Sequence, residues 1–66
     1  MRARLRRERQ LAGFTQLQIA LMIGISQQTV SKHEHGIVTP SEFKLIRQYE
    51  QILGVNAEEL FPDVFK

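Results

Sequence analysis

Gln27, Gln28, Ser31, Lys32 and His35 share one stripe of the segment QQTVSKHEH, and no acid lies on that stripe. These side chains suit recognition better than bond-making. An amide carries a donor and an acceptor together, so a glutamine can pair in bidentate fashion with adenine N6 and N7 in a major groove. Thr29 can offer its methyl to thymine, and Lys32 can reach a guanine or a phosphate. Gln27, Gln28, Thr29 and Lys32 are therefore the candidate base contacts. Any exposed helix face is polar, so the stripe alone does not decide the matter. The elements that carry it must.

Those elements fall within Phe14 to Gly36, FTQLQIALMIGISQQTVSKHEHG. The segment reads as two short helices joined by a tight turn. The Thr15 hydroxyl can cap the first, accepting a backbone N–H one turn inside. Leu17, Ile19, Ala20 and Ile23 put apolar groups on roughly one side of it. Gly24 supplies the positive φ that a helix end needs. Ser26 is a second N-cap, Gln27 to His35 form the second helix, and Gly36 stops it. Val30, His33 and Ile37 fall on its inward stripe.

Catalysis and metal binding find no support. His33 and His35 are two residues apart and face different sides of a helix, and no cysteine or carboxylate pair completes a ligand set. No Ser/His/Asp set and no Gly-rich phosphate loop is present, so neither an enzyme nor a cofactor is expected. His33, facing the core, should be neutral and hydrogen-bonded, and His33 and His35, which both can titrate near neutrality, should give stability a modest pH dependence.

The 66 residues allow one domain, 1–66. A chain this short buries only about 60% of the surface its unfolded form exposes, so self-association would add stability. With no cysteine there is no disulfide. No apolar run approaches a membrane span, and the basic start lacks the apolar stretch of a signal peptide. A soluble, cytoplasmic protein without a membrane partner is expected. Residues 1–40 hold six Lys/Arg against two acids, a net +4, while residues 41–66 hold three against five, a net −2. A basic front and an acidic back suit a surface that faces an anion.

The pattern Phe14-Thr15-Gln16, Ile19-Ala20, Ile23-Gly24-Ile25-Ser26, Val30-Ser31 and Glu34-His35-Gly36 resembles the helix-turn-helix of the phage repressor and Cro-type (XRE-like) family. The likeness runs from about Leu5 to Phe61, and several spacings agree at once. It implies an all-α, compact five-helix, lambda-repressor-like domain with its helix-turn-helix at about residues 15–35. In that family the second of the two helices lies in the major groove and the first crosses the backbone. The resemblance further implies that Gln16 contacts a phosphate and braces Gln27. It also implies that Arg9 forms an ion pair with Glu34. His35 stands where the family often has Asn or Arg, so a phosphate contact is expected there. Ser31 and the backbone at Thr15 should set register on the phosphates as well.

The remaining chain supplies the frame. Residues 1–12 read as a first helix with Leu5, Arg9 and Ala12 on one face. Arg2, Arg4, Arg6 and Arg7 fit a solvated face and a phosphate contact equally well. Gln18 reads as solvated. Thr39-Pro40-Ser41-Glu42 reads as a capping box with proline at the first helical position, opening a fourth helix to about Leu53. Phe43, Ile46, Tyr49 (or Glu50) and Leu53 form its core stripe, and Leu45 and Ile52 either widen that contact or meet a partner. The loop before it lacks the basic residues the family often carries. Asn56 caps a short fifth helix with Leu60 and Phe61 buried, ended by Pro62. Leu60, Val64 and Phe65, in segment 55–66, are the expected dimer contact; the alternative for the Val64/Phe65 tail is that it folds back on the first helix.

The sequence thus points to a sequence-specific DNA-binding transcriptional regulator. The expected form is a homodimeric repressor on a pseudo-palindromic operator in double-stranded DNA. An antitoxin or protein-interaction module of the same fold, holding a second small protein, is the alternative.

Overall fold

The computed structural model describes residues 1–65, and all of its regular structure is helical. In chain order the helices are α1 (Ala3–Leu11), α2 (Gln16–Ile23), α3 (Gln27–His35), α4 (Phe43–Leu53) and α5 (Ala57–Leu60). α3 packs most extensively on α2 and also on α1, while α5 joins α4 to α1. Leu5, Ile19, Ala20, Val30, Ile46, Tyr49, Leu60 and Phe61 close the core. No helix among the described residues is long and apolar enough to cross a membrane.

α2 and α3 start and stop for local reasons. The Thr15 hydroxyl accepts the Gln18 N–H at 3.0 Å, and the Gln18 side-chain oxygen accepts the Thr15 N–H at 2.8 Å. Gln18 is thus half of a capping box rather than merely solvated. Gly24 ends α2 at φ 88°, and its N–H returns to the Ala20 carbonyl at 2.8 Å. Ser26 caps α3 by accepting the Thr29 N–H at 3.1 Å. Gly36 closes α3 at φ 74°. A side chain would strain the backbone at both glycines.

Several expectations are corrected. α1 begins at Ala3, and Ala12 is exposed at its C-terminal end, off the buried face of Leu5 and Arg9. Leu17 is about half exposed, so the buried side of α2 is Ile19, Ala20 and Ile23. Ile37 lies beyond the end of α3 and is 69% exposed, so it does not extend the Val30 and His33 stripe. The capping box at Thr39–Glu42 does not form: α4 opens at Phe43, with no side-chain cap from Glu42. The Thr39 hydroxyl instead accepts from Arg2 at 3.0 Å. Phe43 keeps its place three residues before Ile46 but, as the first residue of α4, lies outside the core. It is half exposed and packs on Phe65 and under Arg47. Leu45 and Ile52 pack against the core and so widen it.

Asn56 precedes α5 without a side-chain cap. Glu50 takes over, accepting the Ala57 N–H at 2.8 Å. That bond, with Arg47 beside it, holds the Glu50 carboxyl below its ordinary range.

Candidate nucleic-acid interface

Gln27 and Gln28 open α3 one and two residues after its Ser26 cap, and both are exposed. Lys32 and His35 continue the exposed stripe, and Ser31 is half-buried within it. Thr29 is half-buried and its hydroxyl lies 2.8 Å from that of Ser26. Of the expected base-contact residues, Gln27, Gln28 and Lys32 are thus exposed together, while Thr29 is turned partly inward. Arg6, Arg7 and Lys32 make no ion pair among the described residues. Arg4 bridges to Glu8 and Glu59 instead.

The inner side of α3 is anchored by charge as well as by Val30. Arg9 forks onto Glu34, its Nε 2.5 Å from Oε2 and an Nη 3.2 Å from Oε1. The two side chains are 10% and 1% exposed, so this pair is buried. The other Arg9 Nη donates to the Phe14 carbonyl at 2.8 Å, tying the α1–α2 connection into the same fork. A planar guanidinium fixes direction as well as distance, so the pair sets how α3 sits on α1.

Gln16 donates its amide to Glu34 Oε1 at 3.1 Å. The bracing expected on Gln27 is thus directed at Glu34. A side-chain amide has two N–H groups, so one is left to meet a phosphate. Thr15 is less free than expected, because its N–H and hydroxyl are both committed to the capping box with Gln18. The N–H groups of Gln16 and Leu17 have no acceptor among the described residues.

The two histidines separate by environment. His33 is 2% exposed, edge-on to Tyr49, with Nδ1 2.9 Å from the Tyr49 hydroxyl. Burial first, and the nearby Arg2 charge second, hold its pKa below the ordinary value. Burial likewise raises that of Tyr49, which keeps its proton. His33 is therefore a neutral core residue. His35 is exposed, and its Nδ1 donates to the Ser31 carbonyl at 2.8 Å. With one proton on that nitrogen, Nε2 can donate to a phosphate only when the ring carries a second. No cluster of metal-ligating side chains occurs among the described residues.

The main residue that sequence reasoning missed is Arg2. It has a 4% exposed position at the C-terminal end of α3, neither a solvated face nor a phosphate contact. Of the expected dimer residues, Leu60 is corrected. It is fully buried in the chain's own core and presents nothing to a partner. Val64 is 40% exposed and Phe65 is half-buried against Phe43, while position 66 of that segment lies outside the described residues.

A family model described as helix-turn-helix matches residues 5–60. No curated protein and no solved structure matches the chain.

Proposed function

The chain belongs to this helix-turn-helix family, of the phage repressor and Cro type, and is a DNA-binding regulator of transcription; from that premise we propose a dimeric repressor that reads a pseudo-palindromic operator. The observation that carries the proposal is the acid-free exposed stripe of Gln27, Gln28, Lys32 and His35 on a helix whose inner side is fastened by a buried ion pair. α3 enters the major groove, with Gln27 and Gln28 on adenine edges, Thr29 offering its methyl, and Lys32 further along. Gln16, Ser31 and His35 meet phosphates, and the N–H groups of Gln16 and Leu17 take the place expected of Thr15.

One such helix reads roughly four base pairs, too few to select a site in a genome. Two copies related by a two-fold axis, on half-sites about one helical turn apart, supply the rest. Val64 and Phe65 are the dimer contact, and repression follows from occupying a promoter. A protein partner is the second reading, favoured by Leu17 and Leu21, which stand four apart on α2 and are 51% and 74% exposed.

Selection from a random duplex library at physiological salt, followed by sequencing, tests the proposal. Spaced, inverted, adenine-containing half-sites are the expected result. A featureless pool from demonstrably folded protein would refute operator reading and turn attention to a protein partner.

A further inference from the structure

A guanidinium has five N–H donors, and the Arg2 side chain engages all five. Nε and one Nη grip the Asp63 carboxylate at 3.0 and 2.8 Å. The same Nη donates to the Thr39 hydroxyl at 3.0 Å. The other Nη donates to the carbonyls of His33 at 2.7 Å and Val38 at 2.8 Å. The Arg2 backbone N–H adds a bond to the Glu34 carbonyl at 2.7 Å. The side chain is 3% exposed, with its charged carbon 5.0 Å from the centre of the Phe61 ring.

The partners lie where a cation is most useful. The carbonyls of His33 and Glu34 belong to the last turn of α3, where backbone acceptors lack intrahelical donors and the helix dipole is negative. Val38 and Thr39 lie in the loop leaving that helix, and Asp63 follows α5. One side chain thus joins the end of α3, its exit loop and the far end of the chain. Glu34 is held twice, by Arg9 through its carboxylate and by Arg2 through its carbonyl.

We infer that Arg2 is a positioning residue for DNA reading, setting the angle at which α3 presents Gln27 and Gln28. The inference rests on α3 being the reading helix. Arg2 touches no DNA, because its donors are spent inside the fold. Its loss therefore lowers discrimination between sequences without lowering the electrostatic attraction common to all of them. This separates it from an arginine on a phosphate, whose loss weakens all sequences together and reduces the salt slope.

The test uses the full chain with Arg2→Lys and Asp63→Asn. Affinity is measured for a duplex recovered from the random library and for a scrambled duplex, across a salt series. Each protein is held well below its own unfolding midpoint. Lysine keeps the charge but has three donors on a point and cannot reproduce the fork. Asparagine keeps one acceptor and loses the charge. Arg2→Lys is expected to lose about fivefold or more on the selected duplex, the low end of what one misread base pair costs. The scrambled duplex and the salt slope should not change, and Asp63→Asn should move the same way by less. Where Arg2→Lys does not fold, Asp63→Asn carries the test by the same ratio. A lower midpoint with an unchanged ratio would make Arg2 purely structural and overturn the inference. An equal loss on both duplexes with a shallower slope would make it a phosphate contact and overturn it too. Gln28→Ala, run alongside, separates the two ideas. If it keeps full discrimination, the reading of α3 falls and takes this inference with it. If it loses discrimination while the Arg2 and Asp63 variants do not, only this inference falls.

Discussion

Replacing Glu34 by glutamine should damage this protein far more than its conservative shape suggests. The variant keeps one side-chain oxygen for Arg9 and Gln16 but removes the carboxylate that, alone among the described residues, faces Arg9 at bonding distance. Both members of the pair are almost wholly buried, at 10% and 1% exposure, so solvent does little to screen the loss. Leaving one charge of a buried pair without its partner costs about 3–5 kcal/mol. At roughly 0.05–0.15 kcal/mol per residue, a domain of this size holds only about 3–10 kcal/mol in total. For so small a domain each kcal/mol moves the midpoint by about 4–8 °C, so a drop of about 12 °C or more is expected. Circular dichroism melting and urea titration read it directly, and operator affinity should fall with it because α3 loses its fastening to α1. The companion variant is Arg9→Met with Glu34→Leu, which removes both charges together. Replacing a whole buried pair by apolar groups is often nearly neutral. The double variant should therefore be clearly more stable than the sum of the two single losses predicts. A Glu34→Gln midpoint within about 5 °C of the parent, with additive behaviour in the cycle, would refute the reasoning. The pair would then be worth no more than one on the surface.

His33 makes stability depend on pH. Its ring is buried neutral with a pKa below the ordinary 6.5, so the unfolded chain takes up the proton first as pH falls. Stability should be full above that ordinary value and decline below it, by at most about 1.4 kcal/mol per pH unit. Urea midpoints between about pH 7.5 and 5.5 should show the decline, and His33→Gln should flatten it; parallel slopes would exclude His33 as the cause. Gly24→Ala meets nothing within 4 Å of the added carbon, so its cost is the left-handed backbone at φ 88° alone. That is about 1–2 kcal/mol by denaturant titration, and an unchanged midpoint would mean the turn had moved to another conformation. Removing Val64 and Phe65 should weaken self-association in sedimentation velocity; an unaltered profile would take the tail out of the interface.

What could be read in advance follows a physical boundary. Thr15, Gly24, Ser26 and Gly36 mark the ends of α2 and α3 through bonds that span no more than four residues, and all four appear in those roles. Gln18 was equally local, three residues after the Thr15 cap, and its capping box was open to the same reasoning. The Arg9–Glu34 pair spans 25 residues and was legible only through the family's pattern. Phe43 looked like core by spacing, but it opens α4 and is half exposed, because spacing assigns a side of a helix without saying how far along the helix the core extends. Leu60 looked equally fit for core or interface, because an apolar side chain does not say which apolar surface it will meet.

By itself the sequence determined the helix-turn-helix: short-range caps, two glycine stops, apolar spacing and an acid-free outward stripe. These depend on neighbours along the chain, and neighbours are what a sequence displays. Only the tertiary structure decided that Arg2 is buried while Arg6 and Arg7 are exposed, and that Thr39 serves Arg2 instead of capping α4. Two of the five acceptors on the Arg2 side chain are backbone carbonyls, and all five lie 31 to 61 residues away. A carbonyl belongs to every residue and carries no side-chain signature. Its role as a partner exists only once the fold has turned it toward a donor and removed the water that would otherwise serve both.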